Sequence, residues 1–312
     1  MAAELGYVPS AGARSLRTGR QEALGLLLPP HTWGGLIEIV YGVAEEAARR
    51  GMRALVLPLP PGDLPERDFV TRTLPNLPID GLITLMPEGL LPYIGDLARS
   101  GMPVVAFDDR GERPGIPYVE TTNRDGMREA VRHLAAHGRT RIAFLGGLAN
   151  QSFARARYEG YLDGLRDAGL PYRPELVLFP DENLPPSAEI SRLLAPADQA
   201  AAPDAVAAAW DELAVKASHV AHEHSLEIGT DLALTGFDDT PGLFALATQL
   251  TTVHQPLREM GQAAVRLLTD TLDHGRSPAN ASVPTHLVIR DSCGSHAPDG
   301  SPLPTRVNGA SA

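Results

Sequence analysis

The sequence predicts an α/β fold built as two doubly wound parallel-sheet lobes. Short apolar runs alternate with amphipathic helical stretches along most of the chain, the pattern of parallel strands joined by right-handed helical crossovers. The alternation repeats too many times for one sheet. A chain of 312 residues, 43% of them apolar, also has enough material for two cores.

The elements follow in order. Residues 23–29 (ALGLLLP) read as a buried strand, 36–51 (LIEIVYGVAEEAARRG) as a helix ended by Gly51, and 53–59 (RALVLPL) as a second strand, a β-α-β unit. The pattern continues with a strand at 80–86, a helix around 89–100, a strand at 103–108, a helix at 124–137, a strand at 141–147 and a helix at 154–168. It resumes with a strand at 203–209, a helix at 211–225, a strand at 231–239, a helix at 257–273 and a last strand near 285–292. Two proline-rich polar segments, 58–65 and 179–189, read as surface loops. The composition of 294–312 is that of a disordered tail. In this architecture a ligand is expected where the carboxyl ends of the strands face a cleft between the lobes.

Composition narrows the function. The single cysteine, Cys293, excludes an internal disulfide framework and suits a reducing compartment. No apolar run has the roughly 18–20 residues of a membrane span, and the opening MAAELGYVPS lacks the features of an export signal. The expected location is therefore cytoplasmic, with no membrane partner. A formal charge of −11 argues against non-specific coating of nucleic acid and makes any DNA contact local. The first twenty residues stand apart: Arg14, Arg17 and Arg20 against Glu4 give +2, and the remainder carries −13. Pro9 and Ser10 can open a short helix over AGARSL, one too short to persist without a partner.

Nothing in the sequence forms a catalytic constellation, and no cofactor motif is present. G-x-G-x-x-G, G-x-x-x-x-G-K-[ST], H-E-x-x-H and G-x-S-x-G are all absent. Asp108 and Asp109 are adjacent at a strand end and so point to opposite faces. His219, His222 and His224 do not share one helix face, and they read as solvated rather than as metal ligands. No metal site is expected.

Blocks in order along the chain carry a family resemblance: ELGYVPSAGARSLRTGR, VVAFDDR, TTNRDGMREAVRHLAAHGRTRIAFLGG, RARYEGYLDGLRDAGL, ALTGFDDTP, LTTVHQPLREMGQAAVRLL and LVIRDSC. From residue 4 to residue 293 the chain resembles the LacI/GalR family of transcriptional regulators. The resemblance implies an N-terminal helix-turn-helix, a hinge helix, and a two-lobed effector domain of the type I periplasmic-binding-protein kind. It places the end of the headpiece and a hinge-helix remnant at 1–21. The first effector lobe falls at 22–120 with about 257–284, and the second at 121–250 with about 285–293. The block AELGYVPS matches the end of the headpiece, and no segment before it matches the helix-turn-helix. Either the start lies too far downstream, the reading preferred here, or the regulator is naturally headless.

The same resemblance implies site residues. In the hinge, Leu16 matches the leucine that wedges the minor groove, Arg14 and Arg17 are available for phosphate, and Tyr7, Ser10 and Ala13 complete the DNA-facing set. A plain basic leader is the alternative. In the effector domain Arg157 matches an arginine that grips sugar hydroxyls, and Asp238 matches a second contact. Sugars suit such planar, bidentate groups backed by aromatic faces. Gln255 falls at the lobe crossover. Trp210 and Asp211 stand where relatives carry Asn-Asp, His31 and Trp33 lie in the first cleft loop, and Thr122 replaces an acid in TTN. The alternatives are a surface helix arginine for Arg157, a turn-forming acid for Asp238, a hinge hydrogen bond for Gln255, packing for Trp210 and a helix cap for Asp211.

The expectation is a homodimeric, ligand-responsive regulator, a repressor, that is not an enzyme. Its partners would be a carbohydrate effector and operator DNA, with DNA binding impaired if the truncation is real. A headless sugar sensor and a periplasmic-type sugar-binding protein are the alternatives.

Overall fold

The computed structural model describes residues 19–30, 33–60, 63–85, 90–107, 116–147, 152–179, 187–242, 248–275 and 279–294. The hinge residues Tyr7, Ser10, Ala13, Arg14, Leu16 and Arg17, together with His31, Asp108, Asp109 and the tail after Gly294, lie outside them. The chain divides into two units, Met1–Glu120 with Leu257–Val283, and Thr121–Pro256 with Pro284–Ala312.

In the first unit the chain runs β1 (Ala23–Leu28), α1 (Leu36–Arg49), β2 (Arg53–Pro58), α2 (Asp63–Asp68), β3 (Gly81–Leu85), α3 (Leu91–Arg99), β4 (Val104–Phe107) and β5 (Tyr118–Thr121). In the second it runs α4 (Asn123–Ala136), β6 (Ile142–Leu145), α5 (Ser152–Asp167), β7 (Val177–Leu178), α6 (Ser187–Leu194), β8 (Ala205–Ala208), α7 (Asp211–Glu223), β9 (Ala233–Asp238) and β10 (Thr251–His254). Helix α8 (Leu257–His274) and β11 (Ala281–Val283) return to the first sheet, and β12 (His286–Val288) closes the second. The strand orders, β11-β5-β4-β3-β1-β2 and β12-β10-β9-β8-β6-β7, are the same doubly wound arrangement used twice.

The sequence of β1 explains its central place. Leu24, Leu26 and Leu28 join one buried cluster with α1 and α8 residues, while Ala23 and Leu27 join another with Val70, Leu74, Leu82 and Ile94. A strand apolar on both faces suits only a sheet covered on both sides. Its start is held by Asp80, whose carboxylate accepts from the Gln21 N–H at 2.7 Å and the Ala23 N–H at 3.2 Å. The second unit repeats the device. Asp204, just before β8, accepts from Thr140 N–H at 2.9 Å and Arg141 N–H at 3.0 Å, just before β6.

Each unit also has one closely packed helix pair. A β-carbon on Gly42 of α1 would sit 2.1 Å from the Arg258 carbonyl oxygen of α8, and one on Gly160 of α5 would sit 2.2 Å from that of Arg124 in α4. Only glycine permits either approach. Ion pairs flank the contacts: Arg258 on Glu45 in the first unit, and Arg124 on Asp163 and Arg128 on Asp167, both at 2.6 Å, in the second.

Several expectations need correcting. The proline-rich 58–65 segment contains the start of α2, because Pro65 falls in a first helical turn, where its missing N–H removes no hydrogen bond. Similarly, 179–189 runs into α6 at Ser187. Strands β5 and β10 were not anticipated. They are four residues each, Tyr118–Thr121 and Thr251–His254, too short to show alternation. The final strand is only His286–Val288, and it pairs antiparallel with β10 before a 3-10 turn at Asp291–Cys293. Arg20, counted with the basic leader, spends its charge on Asp273 at 2.8 Å in α8. Among the described residues no helix is long and apolar enough to cross a membrane.

The glycine contact gives a direct test. Gly160→Ala is expected to destabilise the second unit by about 1–3 kcal/mol despite alanine's better helix propensity, read as a lower denaturation midpoint. An unchanged midpoint would show that the α4–α5 contact can relax.

Candidate functional site

In the second unit Asp211, Asp238 and Gln255 stand at the carboxyl ends of β8, β9 and β10, with Arg157 of α5 beside them. Strand order reverses between β6 and β8, the position at which doubly wound sheets bind ligands. Arg157 lies on α5 and is 2% exposed, so the surface-arginine alternative fails. Its Nε donates to Asn123 Oδ1 at 2.8 Å and its Nη1 to the Ala209 carbonyl at 2.6 Å. The same Nη1 is 3.5 Å from Asp238 Oδ1. Its guanidinium lies 3.8 Å from the centroid of the Phe237 ring and 5.1 Å from that of Phe153, cation–π contacts that partly replace lost hydration.

Asp238 ends β9 with φ +117°, and Asp239 follows at φ +57°. Left-handed backbone at consecutive non-glycine residues costs on the order of 1–3 kcal/mol each and is held only by strong local constraints. Those constraints are present. Gln255 Nε2 donates to Asp238 Oδ1, and the Gln255 N–H donates to the Asp238 carbonyl at 3.3 Å. Asp239 accepts from Arg290 at 2.7 Å and lies 3.0 Å from His254 Nδ1. Burial opposes the Asp239 charge, but Arg290 and His254 outweigh it and hold the carboxyl below its ordinary range.

Asp211, the first residue of α7, is also buried. Its Oδ2 accepts from the Thr240 N–H at 2.8 Å and its Oδ1 from the Thr252 hydroxyl at 2.6 Å. It therefore links α7 to the strand ends through both oxygens; the helix-cap alternative fails, because Trp210 holds the N-cap position and no side chain caps this helix. Burial pushes its carboxyl up to about 7 against these hydrogen bonds. Burial likewise raises Asp238 well above the usual carboxylate range; Arg157 opposes this and the nearby Asp211 adds to it.

Gln255 Oε1 is buried and has no hydrogen-bond partner among the described residues. The neighbouring carboxylate fixes the orientation of the amide, since Asp238 needs the NH2 end. An acceptor left in this position costs about 1–3 kcal/mol, and an incoming hydroxyl can satisfy it.

Of the residues anticipated from sequence, Arg157, Asp238 and Gln255 are joined by direct contacts, and Asp211 acts on Asp238 through its charge. Trp210 precedes α7, partly buried, with its ring 6.2 Å from Phe153, which is stacked on Arg157. Trp33 belongs to the first unit and packs beside the α1 start, where Gly35 leaves room for its indole. Asn123, Phe153 and Phe237 were not anticipated. Asn123 was visible in TTN, whereas its neighbour Thr122 turns to Thr285, hydroxyl to hydroxyl at 2.8 Å.

Residues 131–293 match the model of the periplasmic binding protein-like domain. The chain is 31% identical over 303 residues to the HTH-type transcriptional regulator CelR of Thermobifida fusca, covering 93% of this chain and 86% of CelR. The chain belongs to the LacI family of transcriptional regulators. It is similar as well to the HTH-type transcriptional repressor PurR of Aliivibrio fischeri, 28% identical over 280 residues, 88% of this chain and 82% of PurR. Among solved structures, a complex of the transcriptional regulator CelR with cellobiose matches with a TM-score of 0.77 at 27% identity, covering 93% of this chain and 88% of that one. This LacI-family chain is a ligand-responsive transcriptional regulator.

The raised carboxyls make stability depend on pH. Between about pH 4 and pH 7 the folded Asp211 holds a proton that the unfolded one has lost, so stability falls as pH rises, by up to about 1.4 kcal/mol per unit for each such group. Asp211→Asn keeps an acceptor for Thr240 and is expected to flatten this slope in denaturant titrations at about pH 5 and about pH 7. A slope equal to wild type would remove Asp211 as its source.

Proposed function

We propose that the regulator senses a carbohydrate or a related polyhydroxylated small molecule through Arg157, Asp238 and Gln255. Trp210 and Phe153 supply an aromatic face, and Asp211 sets the charge of the site. The observation that carries the reading is the buried Gln255 Oε1, an acceptor without a partner among the described residues, beside a buried arginine and carboxylate. A hydroxyl-bearing ligand supplies what this set lacks: donors for Gln255 and Asp238 and a ring face for the indole. The CelR–cellobiose structure supports the class of ligand.

His31 and Trp33 are proposed as ligand contacts from the first unit. Effector binding then acts as a population shift between conformers of differing affinity for the effector. In a homodimer that shift changes how two hinge helices pack. Tyr7, Ser10, Ala13, Arg14, Leu16 and Arg17 are proposed to meet operator DNA, with Leu16 entering the minor groove. The chain is read as a cytoplasmic, non-enzymatic repressor.

Calorimetric titration with a panel of mono- and disaccharides beginning with cellobiose tests the site. Gln255→Ala is expected to weaken the best ligand about 10-fold or more, consistent with one lost hydrogen bond of about 1.4 kcal/mol. Arg157→Ala is expected to abolish binding. Because Arg157 is buried, Arg157→Lys is measured beside it and is expected to fold and still lose most of the affinity, since lysine lacks the planar fork. Unchanged affinity in folded variants would remove these residues from the site.

A further inference from the structure

A second cluster in the same unit lies apart from this chemistry. His133 sits in the last turn of α4 and His137 four residues on, at its C-cap, while Cys293 arrives from the 3-10 turn at the end of the described chain. His133 Nε2 is 3.2 Å from Cys293 Sγ, and the two imidazole rings are 4.8 Å apart, edge to face. The ligand atoms of all three residues lie within 4.8 Å of one another. His137 and Cys293 are fully buried, and Cys293 belongs to the apolar core of this unit.

We propose that His133, His137 and Cys293 form a binding site for a thiophilic d10 metal ion, Zn(II) or Cu(I). Two neutral imidazoles and a thiolate are the donor set such ions prefer. With metal–ligand bonds of about 2.0–2.3 Å, the donors of such a centre stand about 3.4–3.8 Å apart. The cluster therefore needs side-chain shifts of about 1 Å. Spacing of four residues presents both histidines on one helix face. His133 is half-buried and gives the ion a way in.

The surroundings fit a second coordination shell. The Thr251 hydroxyl lies 3.0 Å from both Sγ and the Arg290 carbonyl, and its one proton can turn from the carbonyl to a thiolate. Gly294 holds φ +121°, and a β-carbon there would come 3.2 Å from His137 Nδ1. The backbone after Cys293 can thus pass close to the imidazole only as glycine. The buried Arg139 guanidinium is within electrostatic reach of Cys293. A thiolate with Cu(I) leaves the centre neutral beside it, whereas Zn(II) leaves one positive charge that the guanidinium disfavours. On binding, the thiol proton leaves to solvent and the S–H bond is replaced by a metal–sulfur bond; no oxidation is involved. The ion would pin the end of α4 to the turn at Asp291–Cys293.

The test uses the full chain, reduced and stripped of metal. Co(II), as a spectroscopic stand-in for Zn(II), should give a thiolate-to-cobalt charge-transfer band saturating at one equivalent, and Zn(II) should bleach it. In the second arm, Cu(I) buffered by a chromophoric chelator should load to one equivalent. Cys293→Ala is expected to abolish the band and the Cu(I) loading. His133→Gln, at a half-buried position that tolerates change, is expected to weaken Zn(II) or Cu(I) binding by about 100-fold or more. The proposal fails if wild-type protein gives neither a thiolate band nor stoichiometric Cu(I). It also fails if folded Cys293→Ala keeps its metal, which would point instead to the exposed His219, His222 and His224.

Discussion

A full positive charge on a side chain that is 2% exposed is the constraint around which the second unit is organised. Arg157 cannot be neutralised by losing its proton, so its burial must be answered by acceptors and rings held in fixed places. The answers come from three separate parts of the unit. Asn123 opens α4, Ala209 follows β8, Asp238 ends β9, and Phe237 lies one residue earlier on that strand. Moving any one of these elements leaves a buried charge underpaired. The guanidinium therefore works as a gauge of sheet and helix position as well as a candidate ligand contact.

The same logic explains why β9 ends in left-handed backbone. An ordinary extended continuation from Phe237 would carry Asp238 away from Arg157 and Gln255. At φ +117° its carboxylate instead contacts both, and the next residue, Asp239, turns to Arg290 and His254. Gly236 extends the argument, because a β-carbon there would fall 2.2 Å from Asp211 Oδ1. The run GFDD is thus dense with constraints: one position must be glycine, and the two acids that follow are aimed in different directions.

Much of the fold was legible because hydrophobic pattern and sheet topology depend on the same variable. The run ALGLLL can only be a strand covered on both faces, and Leu24, Leu26 and Ala23, Leu27 are distributed accordingly. What could not be read was short or proline-bearing. Residues 251–253 are buried despite two threonines because the Thr251 hydroxyl donates to the Arg290 carbonyl and that of Thr252 to Asp211. Those partners are distant in sequence and leave no local signal. In the candidate site, the motif blocks pointed to Arg157, Asp238 and Gln255, which contact one another. The internal use of Asp211 was not legible, since a first-turn aspartate looks like a cap whether or not its oxygens reach another element. The His133–Cys293 contact spans 160 residues, and only the antiparallel closure of β12 on β10 brings Cys293 back to α4.

The buried acids carry the argument from architecture to response. Arg157 offers one positive charge against Asp238 and Asp211, and burial keeps both carboxyls above their ordinary range. Two ionised carboxylates beside one guanidinium in a low-dielectric interior would leave a net negative charge unsolvated, which is the physical cause of both upward shifts. A ligand hydroxyl that donates to Asp238 stabilises the ionised form, while Gln255 Oε1 remains available for a second donor. Under the proposed site, occupancy and ionisation would be coupled at the end of β9. Because that end is also where the backbone is held in a costly conformation by Gln255, Arg290 and His254, a change in charge there acts directly on the segment from Thr251 to Pro256 that leads out of this unit. The end of β9, where ligand binding is proposed, is thus continuous, through a few hydrogen bonds, with the segment by which the chain crosses to its other unit.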